Sequence, residues 1–263
     1  MPAELARGYK NLAQRARVVS EAWGEENLYC PNCVSPSLMR SRAGAEAIDF
    51  TCPSCDSPFQ LKSQSRPLSG RIVDAAYDAM ERAIKDSRTP NLVMLHYDPS
   101  KWVVYNLVLI PRVAFSLSCL EKRPPLSASG RRHGWLGCNI LLTNIPLDAK
   151  IPLVASGAVI NPATVRRQYA RLRPLEIAKH DARGWTLDVL NVVRGLGRAE
   201  FSLADVYAYE AALGRLHPDN RNIRPKIRQQ LQILRDLGLA NAGAVGGARK
   251  RLGATSRKHP RGG

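Results

Sequence analysis

The chain has 263 residues, 44% of them hydrophobic and 23% charged, with 39 Lys and Arg against 22 Asp and Glu for a net charge of +17. No apolar run reaches the ~18 residues of a membrane span, and the basic N-terminus lacks the apolar core of a secretion signal, so a cytoplasmic protein without membrane contact is expected. The positive excess selects a polyanionic partner, nucleic acid above all, over small acidic ligands.

Residues Leu12, Ala16, Val19 and Trp23 recur at steps of three and four, which predicts an amphipathic helix ending near Gly24 with Glu21 and Glu25 near its exit. Next come Cys30-x2-Cys33 and, after eighteen residues, Cys52-x2-Cys55. Each short turn aims two sulfurs at one point, so the four thiols can close a tetrahedral shell on zinc. A disulfide framework would suit a small secreted chain instead. The closed shell leaves no position for water, which makes the zinc structural. Cys119 and Cys138 stand alone and read as buried small hydrophobes.

Around the second cysteine pair lies a different chemistry. Asp49 sits in an apolar stretch, and Phe59-Gln60-Leu61-Lys62 follows it. On a strand alternate side chains share a face, so Gln60 and Lys62 project together toward whatever Asp49 reaches. In a metal-dependent nuclease a carboxylate holds a divalent ion beside the scissile phosphate, and a lysine stabilises the attacking hydroxide and the developing charge. The second ligand is usually an acid. Here it is Gln60, whose amide oxygen can coordinate magnesium but adds no negative charge. An acid and a lysine at loose spacing also arise by chance.

Further on, 65–70 is a turn-rich break and 72–85 reads as a helix buried through Ile72, Ala76, Met80 and Ile84. A β-hairpin is expected from 92–96 and 102–110, with further strands at 138–142 and 151–154. Strands mixed with helices in this order give an α/β or α+β core whose central sheet carries Asp49, Gln60 and Lys62. A basic loop, Arg131-Arg132-His133-Gly134-Trp135, lies inside it. Residues 164–179 read as an arginine-rich helix broken by Pro174.

From about 182 the pattern turns to helices only. This places a catalytic domain at 1–181, with the zinc ribbon at 30–55, and a second domain at 182–252. Short helices are expected at 185–193 and, capped by Ser202, at 203–213. A third, 223–237, buries Ile223, Ile227, Leu231, Leu234 and Leu237, and its other faces show Arg224, Lys226, Arg228, Gln229, Gln230 and Arg235. With a glycine-containing hairpin at 239–252, this describes a winged helix-turn-helix in which Arg228, Gln229 and Gln232 contact bases or phosphates. Residues 253–263 read as a disordered basic tail.

Several strings together resemble one family. Ala47-Ile48-Asp49-Phe50 and Phe59-Gln60-Leu61-Lys62-Ser63, the run from Arg131 to Ile140, and Ile227-Arg228-Gln229-Gln230-Leu231-Gln232-Ile233-Leu234-Arg235-Asp236 are similar to the DpnI-like methyl-directed restriction endonucleases. The resemblance implies a PD-(D/E)xK nuclease core with an inserted zinc ribbon and a C-terminal winged-helix domain. It further implies cleavage of double-stranded GATC sites whose adenine is methylated on the exocyclic nitrogen, in restriction of modified foreign DNA. Asp49 and Lys62 take the family's catalytic acid and lysine positions, and Gln60 falls where the second acid belongs. Magnesium would then lie on Asp49, Gln60 and the backbone carbonyl of Leu61. Trp135 belongs to the reading loop, where an aromatic face can pack on a methylated adenine while Arg131 and Arg132 hold phosphates or guanine edges. In the C-terminal domain Arg224 and Lys226 join Arg228, Gln229 and Gln232 as DNA contacts, and the enzyme is expected to act as a monomer. Two rivals remain: a methylated-DNA reader that does not cut because Gln60 replaced the acid, and a zinc-ribbon, winged-helix transcription regulator.

Overall fold

A computed structural model describes residues 1–42, 47–125 and 134–240. Helix α1 (Leu12–Asn27) begins under Asn11, whose side chain accepts the amides of Ala13 and Gln14 and so satisfies two donors that the first turn cannot. The helix runs through Gly24 rather than stopping there. A Cβ at Gly24 would meet the Phe50 ring at 2.8 Å, so this glycine permits close approach of the helix to the sheet and is no terminator.

In chain order the strands and helices that follow are β1 (Met39–Arg40), β2 (Phe50–Thr51), β3 (Pro58–Gln64), β4 (Arg71–Ala76), α2 (Tyr77–Lys85), β5 (Asn91–Asp98), β6 (Val103–Ile110), β7 (Leu120–Lys122), β8 (Gly137–Leu141), β9 (Ile151–Ala155), β10 (Ala158–Val159) and α3 (Pro162–Leu172). Seven of the strands form one sheet in the order β1-β2-β3-β5-β6-β9-β10, and β4-β8-β7 form a second. The β3–β5 pair is parallel, its two strands being linked through β4 and α2, and the other neighbours run antiparallel. Strand β5, with Leu92 to Leu95 all buried, is the apolar middle of the large sheet.

The helix expected over 72–85 is half strand. Residues Ile72 and Val73 pair with Ile140 and Asn139 of β8, and helix begins only at Tyr77. Three- and four-residue spacing of Ile and Ala does not distinguish the two states, and pairing across the second sheet decides it. The register shifts between Val73 and Ala76, which leaves Asp74 in an irregular stretch of β4.

The C-terminal helices are α4 (His180–Gly195), α5 (Leu203–Tyr207), α6 (Glu210–Leu216) and α7 (Ile223–Asp236). Ser202 and Asp205 form a reciprocal capping box at α5, a feature that contributes about 1 kcal/mol. The single helix expected at 203–213 divides at Ala208 and Tyr209. The turn lets Tyr207 and Glu210 both face Arg224 of α7, the ring 5.1 Å from its guanidinium and the carboxylate at 2.7 Å.

Helix α4 is longer than expected and buried on more than one face, from Arg183 to Leu190 without a break. One apolar cluster runs from Ile72, Ile84 and Phe115 through Leu187 and Leu190 of α4 to Ile227, Leu231 and Leu234 of α7. Polar ties cross the same junction. Arg194 forks onto Asp148 at 2.5 and 2.8 Å, and buried Arg183 donates to the Ile84 carbonyl and to Ser87. A second cluster includes Phe50 and Phe59, the chain neighbours of Asp49 and Gln60, with Leu95, Val165 and Tyr169. Among the described residues no helix is long and apolar enough to cross a membrane.

Candidate active site and nucleic-acid interface

Strand β2 pairs with β3 only at Phe50–Phe59 and Thr51–Pro58. The next rung of this antiparallel ladder sets Asp49 opposite Gln60, and cross-strand neighbours share a face. Beyond it no strand among the described residues pairs with this edge of β3, and the amide of Leu61 there donates to Asp49 Oδ2 at 2.7 Å. In a strand the amide and carbonyl of one residue point the same way, so the Leu61 carbonyl faces the Asp49 edge as well. Lys62, two residues after Gln60, lies on the Gln60 face. The structure thus ties Asp49, which precedes β2 rather than lying within it, to Leu61, and sets Gln60 and Lys62 on the β3 face next to it.

Burial pushes the Asp49 carboxyl above the ordinary carboxylate range, the nearby Glu21 adds to this, and the Leu61 amide, Arg17 and Lys62 oppose it. Glu21 is not the exposed helix end that its position suggests. Its side chain is held by Arg17 at 2.6 Å and Arg40 at 3.4 Å and is mostly covered. Helix α1 is fixed over β3 by Ser20, which donates to Ser63 Oγ at 3.0 Å.

Sequence reasoning missed Asp74. Its carboxylate, 4% exposed, takes the Lys62 ammonium at 2.6 Å, and the Val73 carbonyl accepts from the same ammonium at 3.2 Å. Reading 72–85 as one helix hid this acid, because nothing then placed it near β3. A strand reading, with Asp74 facing inward from a half-buried sheet, would have drawn attention to it.

The four paired cysteines come together with all sulfurs within 4.8 Å of one another. The Cys30–Cys55 and Cys33–Cys52 separations are 3.6 and 3.5 Å, close to the ~3.8 Å edge of a tetrahedron built on ~2.3 Å zinc–sulfur bonds. The cluster can therefore hold zinc. Burial raises the Cys30 thiol, whereas at Cys55 burial is outweighed by hydrogen bonds from Ser57 and the neighbouring thiols, which bring it down to about 6. Arg166 of α3 braces the first turn by donating to the carbonyls of Cys30 at 3.2 Å, Cys33 at 2.9 Å and Ser35 at 3.3 Å. Cys119 and Cys138 are buried and are not members of this cluster.

Of the expected DNA contacts, Arg131 and Arg132 lie outside the described residues, as do the wing beyond Ala240 and the tail at 253–263. Trp135 is half-buried, and its ring lies over Gly137, where a Cβ would come within 2.7 Å of it. Trp135 precedes β8, and Gly137 under its ring pairs with Ala76 in the small sheet that carries Asp74. On α7, Arg228, Gln229 and Gln232 are exposed and Lys226 donates to Gln229 at 2.9 Å. Arg224 is engaged within its own domain by Glu210. Gln230 is a correction: it is 1% exposed, and Thr186 of α4 donates to its Oε1 at 2.6 Å, so it belongs to the core rather than to an outer face. A helix tightly packed on two neighbours buries a wider arc than its apolar stripe shows.

Two family models cover this architecture. One, described as DpnI, Dam-replacing family, matches residues 1–178, and the other, DpnI_C, described as Dam-replacing HTH domain, matches residues 181–250. Membership points to a restriction-type protein that acts on methylated DNA, and the helix-turn-helix match makes DNA the partner. With a mixed α/β core holding a four-cysteine cluster and a helical C-terminal domain behind it, the chain belongs to the Dam-replacing DpnI family.

Proposed function

We propose that this chain is a magnesium-dependent endonuclease that cuts double-stranded GATC sites carrying methylated adenine, acting as a cytoplasmic monomer. The observation that carries the reading is the hydrogen bond that ties the Asp49 carboxylate to the Leu61 amide on β3, the strand that also bears Gln60 and Lys62. One carboxylate, one amide and one carbonyl are hard oxygen donors of the kind magnesium takes. A magnesium ion held there would supply Lewis-acid polarisation of the scissile phosphate and a more acidic bound water. Lys62 contributes positive charge against the charge that develops on the phosphorus oxygens. Asp49 is kept in place by the Leu61 amide at Oδ2, and Oδ1 would take the ion. The zinc cluster, closed by four thiols, stiffens the segment that delivers Asp49 and takes no part in the chemistry. Trp135 with Arg131 and Arg132 form the reading surface of the catalytic domain, and Arg228, Gln229 and Gln232 that of α7, with Arg224 and Lys226 as backing charge. The domains divide near 181, with 182–252 the winged helix and 253–263 a basic tail.

Gln60 favours a second reading, a methylated-DNA reader that binds without cutting, because an amide holds a hard cation less firmly than a carboxylate. Digestion of adenine-methylated and unmethylated plasmids with magnesium separates the two. The nuclease reading expects cleavage of the methylated plasmid alone, and a lower magnesium requirement for Gln60→Glu. Binding without cleavage by the wild type, with cutting restored in Gln60→Glu, establishes the reader.

A further inference from the structure

Lys62 has a partner that the nuclease motif does not contain. Its ammonium spans from β3 of the large sheet to β4 of the small one, where Asp74 Oδ1 lies at 2.6 Å and the Val73 carbonyl at 3.2 Å. The Asp74 side chain is 4% exposed against 24% for Lys62, so the acid is the fixed member and the lysine the adjustable one. The ladder between β4 and β8 is irregular between Val73 and Ala76, and irregularities of this kind re-aim a side chain. That of Asp74 is aimed inward. The thiol of Cys138 on β8 is pushed up to about 11, by burial and then by the Asp74 charge, opposed by Lys62 and Arg123.

A flexible four-carbon ammonium placed next to a phosphate site would sample many positions unless held. We propose that Asp74 is the positioning residue for Lys62, and that it returns to the site the acid that Gln60 lacks. It does so from the neighbouring sheet and through the lysine, not as a metal ligand. This rests on the nuclease reading. A displacement of about 1 Å in a reacting group costs on the order of 10² in rate, so holding Lys62 by a buried anchor has kinetic weight. The same anchor joins the strand that carries Lys62 to the sheet against which the Trp135 ring packs at Gly137.

The test uses the full-length protein, a methylated GATC duplex and magnesium, with single-turnover cleavage, equilibrium binding and the ζ-ammonium NMR signal of Lys62 read in parallel. The Lys62 signal is assigned by its absence in Lys62→Gln. In Asp74→Asn the rate should fall by about 10²-fold while the duplex Kd stays within about two-fold, and the ammonium signal, protected by the ion pair, should vanish. Adding Asp74→Asn to Lys62→Gln should cost nothing further, since the acid acts only through the lysine. The double variant leaves no unpaired buried charge and keeps the comparison readable if Asp74→Asn alone folds poorly. Asp74→Glu, which retains the charge but shifts it by a methylene, should show the same fall. Wild-type rate in Asp74→Asn, persistence of its ammonium signal, or an equal loss on adding Asp74→Asn to Lys62→Gln overturns the proposal. A wild type that binds but does not cut overturns the nuclease reading itself, a different result from a wild type that cuts and an Asp74→Asn that cuts equally.

Discussion

The carboxylate of Asp49 accepts the main-chain amide of Leu61 at 2.7 Å, so the acid is attached to the strand it serves by a backbone bond. One bond does not offset its burial, and the folded-state pKa stays raised. For a group with a raised pKa, stability is fully present below the unfolded value and is lost as the pH climbs through the folded one. Ionised Asp49 therefore costs stability at neutral pH. Asp49→Asn, whose amide oxygen can still accept from Leu61, should raise the Tm of the metal-free protein at pH 7.5, by less at pH 5, and should abolish cleavage. Melting curves at the two pH values, beside a plasmid digest, check both halves.

The cysteine cluster should carry about one zinc per chain, and Cys30→Ser should lower the Tm by roughly 10 °C or more, since metal binding of this type is folding energy. Zinc should leave on acidification as the thiols take up protons, most steeply below pH 6, where even Cys55 is protonated in the metal-free cluster. Metal analysis and a chelator titration against pH decide this. A chain that purifies without zinc and melts like Cys30→Ser refutes it.

Arg166 should matter to the zinc site without touching zinc. Arg166→Ala removes two donor nitrogens, Nε shared by the Cys30 and Cys33 carbonyls and one Nη on the Ser35 carbonyl, at a cost of about 2–3 kcal/mol, and should speed zinc release to a chelator. Release at the wild-type rate would show that the helix is only a neighbour.

Two adjacent glutamines of α7 should behave in opposite ways. Gln229→Ala with Arg228→Ala should weaken DNA binding and leave the melting temperature within a degree or two, because both side chains are exposed. Gln230→Ala removes the acceptor of the Thr186 hydroxyl inside the core and should cost about 1–3 kcal/mol of stability with little direct effect on contacts to DNA. Gel-shift titrations and thermal melts on the same preparations separate the two.

What could be read from the chain follows from range. The cysteine spacing, the β5–β6 hairpin and the apolar stripe of α7 are local patterns, and each stands in the structure close to its expected bounds. The strand at Arg71–Ala76 exists because β8, more than sixty residues later, pairs with it, and no local period encodes that. Gly24 shows the same limit, since its purpose is the Phe50 ring and not the turn that glycine usually marks. Gln230 looked like part of a polar face because only a neighbouring helix, α4, turns that position inward.

Helix α4 has a last consequence for engineering. Its buried residues are shared between the nuclease core on one side and α7 on the other, with Arg183 and Arg194 tied to Ile84 and Asp148 across the junction. A chimera that joins the first 181 residues of one relative to the helical domain of another would inherit half of a packing problem from each parent. Transplanting the reading module should therefore require grafting its docking residues on α2, near Phe115 and at Asp148 as well, so that the seam is moved as a unit.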